Sequence, residues 1–269
     1  MARAALRPVH QLTETAEEVT RTLDLARRID VAGRDELARL AASFNTMLAA
    51  LQASVDAQRQ LVADASHELR TPLTSLRTNV DVLARADELD PEERDRLRRD
   101  VDGQIAELAG LVGDVIELAR EGEPVRVTED VRLDELVAMA VEQAAFHWPQ
   151  ARFDTDLDPV TVRGVPERLE RAVANLLDNA GKWSPPDAPV EVTVRGRELV
   201  VRDHGPGVAP GDATHVFDRF WRSPAARDLP GSGLGLSIVR QVADSHGATV
   251  SVEPAPGGGA LFRLRFPDP

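Results

Sequence analysis

Ala63-Asp64-Ala65-Ser66-His67-Glu68-Leu69-Arg70-Thr71-Pro72-Leu73-Thr74-Ser75-Leu76 is the stretch on which the fold turns. Val62, Ala65, Leu69, Leu73, Leu76, Val80 and Leu83 recur at intervals of three and four residues, the apolar seam of a coiled-coil helix. His67 follows Val62 by five positions. At about 3.5 residues per turn it falls nearly half a turn from the seam and is expected to face solvent. A lone helical histidine is more often a satisfied core residue; the position opposite the seam removes that reading and leaves a solvated surface histidine without a role as the alternative. Pro72 brings no N–H, so the carbonyl of Glu68 loses its helical partner and a bend is expected. A helix end at Arg70 or Thr71 is the alternative. The seam continues in register to Leu83, which favours one kinked helix.

Downstream, Asp90-Pro91-Glu92-Glu93 signals a helix start, with Asp as N-cap and Pro in the first helical position. Leu97, Val101, Ile105, Leu108, Val112, Val115 and Ala119 carry a second seam. Two such helices joined by a few residues form an antiparallel hairpin. One hairpin cannot cover both seams, so a homodimer closing a four-helix bundle is expected.

The run ADASHELRTPLTSL resembles the phosphoacceptor box of two-component sensor histidine kinases. Such a kinase also needs an ATP-binding domain downstream. Residues 166 to 183, PERLERAVANLLDNAGKW, read as a helix with Asn175 and Asn179 on one face. Ala172, Val173, Leu176 and Leu177 form the apolar face opposite. Two asparagines alone are weak evidence, but NLLDNAGKWSP resembles the N box of the histidine-kinase branch of the GHKL ATPases. The resemblance implies that Asn179 is the main Mg²⁺ ligand, that Asn175 supports metal or phosphates, and that Lys182 contacts phosphate. Mg²⁺ prefers oxygen ligands and shares phosphate oxygens, which fits. Lys182 is the only lysine in an arginine-rich chain, as if a compact charge were needed there. Trp183 either stacks on adenine or belongs to the core.

Asp203-His204-Gly205-Pro206-Gly207 follows a strand-like Val200-Val201-Arg202 and resembles the first glycine box. By resemblance Asp203 reads the adenine amine, with Gly205 and Gly207 beside it; an ordinary turn is the bland alternative. Phe217-Asp218-Arg219-Phe220 resembles the F box, and Arg222 is a candidate for the γ-phosphate. Gly231, Gly233, Leu234 and Gly235 open a helix through about Ser245. Glycines before a helix N-terminus suit a phosphate, because bare N–H groups and the helix dipole favour anions. A dinucleotide fingerprint is disfavoured, since no strand precedes this run and no ribose-binding acid follows it. The short segment from Ser223 to Pro230 is where the family has its ATP lid. Strands around Ala248–Val252 and Leu261–Phe266, joined by the turn Gly257-Gly258-Gly259, close the domain.

Near the start, Leu12, Ala16, Val19 and Leu23 suggest a short amphipathic helix. Leu37, Leu40, Phe44, Met47 or Leu48, Leu51 and Val55 suggest a second one after a connector from about Arg27 to Gly33. DELARLAASFNTMLAAL resembles the second half of a HAMP signal-relay domain, with Ala38 where the family usually has Gly. A generic coiled coil is the alternative. Relatives carry a transmembrane helix just before this domain. No run of about 18 apolar residues occurs here, and Met1 leaves no room for a signal peptide. Arg3 and Arg7 suit the basic cytoplasmic flank of a membrane span. The expectation is the cytoplasmic portion of a bacterial inner-membrane receptor, attached through a missing N-terminal span, with a natural soluble kinase as runner-up.

The expected fold class is therefore an α-helical coiled-coil hairpin, dimerising into a four-helix bundle, followed by an α/β two-layer sandwich of the Bergerat/GHKL type. The partition is 1–55 HAMP relay, 56–122 dimerisation and histidine-phosphotransfer hairpin, and 123–269 ATP-binding domain. A net charge of −13 argues against nucleic acid, and the absence of cysteine excludes disulfides and thiolate metal sites. The motifs resemble most closely the actinobacterial envelope-stress kinases of the mycobacterial persistence-regulator type. What the resemblance implies is ATP- and Mg²⁺-dependent phosphorylation of His67, with Glu68 partnering its other ring nitrogen. Transfer to a response-regulator aspartate follows, with Thr71 placing a water for the reverse, phosphatase reaction. The rival readings are a non-catalytic nucleotide-binding scaffold and another GHKL ATPase.

Overall fold

The computed structural model describes residues 7–22, 24–30, 36–84, 90–119, 128–186, 188–223 and 231–268, with backbone only for residues 7–12 and 16. The chain divides into two compact units, Met1–Ala65 and Ser66–Pro269.

In the first unit, helix α1 (Arg7–Thr22) leads through a connector into α2 (Glu36–Leu83). The connector is fastened by Asn45. Its Oδ1 accepts the Ile29 N–H at 2.9 Å and its Nδ2 donates to the Ile29 carbonyl at 2.8 Å. Both backbone groups of the buried Ile29 are thereby satisfied. The buried face of α2 here is Ala38, Ala41 and Leu48, under Leu25 and Ile29. The sequence seam is thus offset: Leu48 rather than Met47 is inside, and Leu40, Met47 and Leu51 are about half exposed on the single chain. Ala38 sits in the buried row.

Helix α2 runs unbroken through Pro72 to Leu83, so the chain does not end a helix at Arg70 or Thr71. Near the proline, the Thr74 hydroxyl donates to the Arg70 carbonyl at 2.8 Å. Helix α3 (Pro91–Ala119) starts where the sequence indicates, with the Glu92 N–H on Asp90 Oδ1. The hairpin register is fixed by Gln104, which accepts from Asn79 Nδ2 at 3.2 Å and donates to Ser75 Oγ at 2.8 Å. Seam residues Leu73, Val80, Ile105 and Val112 remain about half exposed on the single chain. Leu111 and Leu118, seven apart and off the seam, are buried. They form a second apolar face on α3, turned toward the α/β part.

That part contains β1 (Glu129–Arg132), α4 (Leu133–His147), β2 (Arg152–Leu157), β3 (Thr161–Gly164), α5 (Pro166–Trp183), β4 (Pro189–Arg195), β5 (Glu198–Arg202), α6 (Gly235–Ser245), β6 (Thr249–Pro254) and β7 (Ala260–Arg265). The main sheet has the order β2-β4-β5-β7-β6, and β1 pairs with β3 separately. β2 and β4 are parallel with α5 in the connection between them; the other neighbours are antiparallel. Strict alternation buries Val190, Val192 and Val194 of β4 and Ala260, Phe262 and Leu264 of β7 on one face. Against that face lie Leu169, Leu176 and Leu177 of α5 and Ile238, Val239 and Val242 of α6, giving two layers.

His246 joins the ends of the two helices that carry the site. Its Nε2 accepts the Val165 N–H at 3.0 Å, and its Nδ1 donates to the Val242 carbonyl at 2.7 Å. Only the neutral ring meets both demands. Burial lowers its pKa from 6.5, aided by Arg168 and opposed by the Val242 bond. The unfolded chain therefore binds the proton first. Stability is full above pH 6.5 and falls as pH drops below it. Thermal melting between pH 7 and pH 5 should show this slope. His246→Leu should flatten it and cost about 1–3 kcal/mol at pH 7, by stranding the Val165 N–H. An unchanged slope would assign the pH dependence to other groups.

Candidate functional site

One polar stripe of α5 supplies the wall of a large cavity. Asn175, Asp178, Asn179, Lys182 and Trp183 line it, spaced at helical intervals, while Ala172, Val173, Leu176, Leu177 and Ala180 of the opposite face are fully buried. The cavity measures about 950 Å³. Its base is Ala260 and Phe262 of β7, and its far side is Trp221 and Arg222 together with the loop before α6.

Asp203 stands at the end of β5 with only 2% of its surface exposed. A single carboxylate oxygen, Oδ1, accepts both the Gly205 N–H at 2.9 Å and the Ala260 N–H at 3.0 Å. The other oxygen is left as an acceptor on the cavity wall. Burial raises the carboxyl's pKa, and the two backbone donors pull it back. Gly205 does not itself line the cavity. It is required because a Cβ there would lie 2.7 Å from the Trp183 carbonyl oxygen. Gly207 has φ 76° and lines the cavity, pressed against Gly259.

The loop before α6 brings Gly231, Ser232, Gly233 and Gly235 to the cavity. Gly231 and Gly233 have φ of 133° and 73°, a region side chains disfavour. A Cβ on Gly235 would sit 2.8 Å from Asn175 Oδ1, so its absence lets the Asn175 carboxamide lie against the α6 N-terminus. The first-turn N–H groups of α6 have no helical partner and suit an anion. Leu234, by contrast, is fully buried and its N–H bonds to Ser232 Oγ at 3.2 Å. Its side chain belongs to the core, not to the cavity wall. Residues 224–230, where the sequence puts the lid, lie outside the described residues.

Lys182 is half-buried, and burial pushes its ammonium down, with Arg222 adding to this and Glu107 opposing. Its Nζ lies 5.5 Å from the Trp183 ring centroid. Trp183 also lines the cavity. A desolvated lysine beside an arginine favours a bound anion.

Sequence reading missed several wall residues. Trp148 follows α4, donates from Nε1 to Asp178 Oδ1 at 3.0 Å, and covers Gly181, whose Cβ would lie 2.7 Å from the ring. The chain has three tryptophans, Trp148, Trp183 and Trp221, and all line this cavity. Helix α3 also contributes, through Ala106, Glu107, Gly110, Leu111 and Asp114.

His67, Glu68 and Thr71 lie on exposed surface of α2. They do not line the cavity, whose hairpin wall is α3. Thr71 borders a shallow hollow with Arg70, Thr74, Ser75, Thr78 and Asn79. Among the described residues no cluster of three or more His, Cys, Asp or Glu side chains could hold a metal ion. No helix among them is long and apolar enough to cross a membrane.

Three family models match the chain: the HAMP domain over residues 1–53, the His Kinase A (phospho-acceptor) domain over 57–124, and the histidine kinase-, DNA gyrase B- and HSP90-like ATPase over 164–269. The signal transduction histidine-protein kinase/phosphatase MprB of Mycobacterium avium is 49% identical over 99% of this chain and 54% of its own length. The protein of the same name from Mycolicibacterium smegmatis is 48% identical over 100% of this chain and 58% of its own. This chain therefore spans about half the length of the curated relatives it matches. Among solved structures, full-length ShkA in complex with AMPPNP superposes with a TM-score of 0.55 at 27% identity, over 78% of this chain and 46% of ShkA.

Proposed function

Because this chain belongs to the two-component sensor histidine kinases, we propose that it phosphorylates His67 from ATP and passes the phosphoryl group to an aspartate of a response regulator. The observation that carries the reading is the convergence of the α5 stripe, Asp203 and the glycine loop on one cavity. AMPPNP is bound in the ShkA structure that shares this fold.

Each residue then has a task. Asp203 presents its free oxygen to the adenine amine. Trp183 covers the base, and Lys182, Arg222 and the amides of Gly231, Gly233 and Gly235 take the phosphates. Asn179, with Asn175 beside it, would hold Mg²⁺ through carboxamide oxygens, since both side chains line the cavity. The ion would neutralise phosphate charge when bound. A ring nitrogen of His67 forms the N–P bond as the bond from γ-phosphorus to the ADP oxygen breaks. Glu68 holds the proton of the other ring nitrogen and accepts it as positive charge develops. Positioning and charge neutralisation supply most of the rate. Since His67 is not in the cavity, the ATP-binding part must move along the hairpin for transfer.

The functional partition is 1–55 relay, 56–122 phosphotransfer hairpin and 123–269 ATP binding. The protein works as a homodimer, with the half-exposed Leu73, Val80, Ile105 and Val112 as the paired seam. A dimer by light scattering at micromolar concentration is expected; a monomer would contradict the pairing. Membrane attachment comes through a segment preceding residue 1, and the response regulator docks on the hairpin surface around Thr71.

Thr71 lies one turn after His67 and borders the hollow of small polar side chains, placed to orient a water for regulator dephosphorylation. Thr71→Ala should keep autophosphorylation and lose most of the phosphatase activity, read as the decay of phosphorylated regulator. Equal decay with both proteins would remove Thr71 from that role. The reading as a whole is tested by incubating the chain with labelled ATP and Mg²⁺ and then with a panel of purified receiver domains. Rapid movement of label to one of them is expected, and label that reaches none would overturn phosphotransfer.

A further inference from the structure

The wall that α3 contributes is acidic where the cavity is built for an anion. Glu107 Oε1 accepts the Gly231 N–H at 3.2 Å. Gly231 in turn abuts Lys182, since a Cβ on it would lie 3.2 Å from the lysine Nζ. The Glu107 charge also acts on the Lys182 ammonium, against its burial and the nearby Arg222. One exposed carboxylate therefore satisfies a loop amide beside the only lysine of the chain.

The rest of α3 holds that carboxylate in place. Asp114 accepts from Ser232 Oγ at 3.3 Å and from Arg171 Nη2 at 2.6 Å. Gln241 Nε2 donates to the Glu117 carbonyl at 3.2 Å, and Leu111 and Leu118 are buried at the same contact. Gly113 permits it, because a Cβ there would meet the Arg171 guanidinium at 3.1 Å. These contacts reach the glycine loop, α5 and α6 together, so the docked α3 is seated against the phosphate end of the cavity.

We infer that Glu107 is a built-in phosphate mimic, its carboxylate occupying the subsite of the terminal phosphate, so that ATP and the docked α3 compete for the glycine loop. This rests on the nucleotide-binding reading above. A carboxylate and a phosphate ask for the same donors, an N–H and a cation. ATP must displace Glu107 to bind fully, whereas a ligand without phosphates need not. Because Gln104 ties α3 to Ser75 and Asn79 of α2, a shift of the hairpin helices moves Glu107 with them. A signal arriving along α2 would then set ATP affinity directly.

The test is calorimetric titration of the whole chain, wild type and Glu107→Gln, with ATP and with adenosine. Glutamine keeps an oxygen for the Gly231 N–H and removes the charge, so the wall survives while the mimicry fails. ATP should bind the variant about tenfold more tightly, or about 1.4 kcal/mol, and adenosine should bind both proteins equally. Equal gains for both ligands would mean that Glu107 only props the wall, overturning the inference. So would unchanged ATP affinity. If neither protein binds ATP, the nucleotide reading itself falls and the inference with it.

Discussion

His67→Gln leaves the chain unlabelled by ATP, while its ATP affinity stays within a few-fold of wild type. His67 is exposed on α2, and the lining of the cavity comes from α3, the end of α4, α5, α6 and the sheet with its loops. Glutamine is a good helix former, and an exposed replacement of this kind changes stability by about 0.5 kcal/mol or less. What it removes is a nitrogen lone pair able to attack phosphorus. Autophosphorylation with labelled ATP should therefore fall to background, and calorimetry on the same sample should show ATP binding intact. Label on the His67→Gln protein would place the phosphoacceptor elsewhere.

Asp203→Asn should weaken ATP binding by roughly tenfold to a few hundredfold, at about 1.4 kcal/mol per decade. Oδ1 is committed to the N–H groups of Gly205 and Ala260. The amide oxygen of asparagine can keep both bonds, so the loop holds its shape. Its NH₂ is then forced to the cavity side, where it meets the adenine amine donor to donor. The loss comprises a hydrogen bond to a charged acceptor, worth about 1.5–3 kcal/mol, plus the stranded donor. Guanine presents a carbonyl oxygen at that position, so wild type should prefer ATP to GTP by a similar factor and the variant should narrow the gap. Titration of both nucleotides into both proteins measures this; equal affinity of wild type for ATP and GTP would remove Asp203 from adenine reading.

The parts of the site that were legible in the sequence are those whose partners are local. On α5 the helical period alone sets Asn175, Asn179 and Lys182 opposite Ala172, Val173, Leu176 and Leu177, and burial follows that division. Pro166 and the glycine loop marked the starts of α5 and α6. Asp203 stands out through the resemblance of Asp203–Gly207 to a glycine box, while its double acceptance from Gly205 and Ala260 depends on a strand 57 residues away. The signals that were missed depend on distant contacts. Gly181, inside a helix where glycine costs about 0.5–1 kcal/mol, is explained only by the Trp148 ring, brought over it by α4. Leu111 and Leu118 were visible as apolar residues off the α3 seam, but nothing local says what covers them. β1, α4, β2, β3 and β4 were not placed, since β1 and β3 have four residues each and their pairing is non-local. Leu234 stands among the binding-loop glycines in sequence, yet it is fully buried and anchors the loop from the core.

A phosphoryl group on a histidine nitrogen is told from one on oxygen by the chemical stability of the label on wild-type chain after incubation with ATP and Mg²⁺. A phosphoramidate is predicted: label lost in mild acid and retained in strong base. Label that survives acid, as a serine or threonine ester would, contradicts the account.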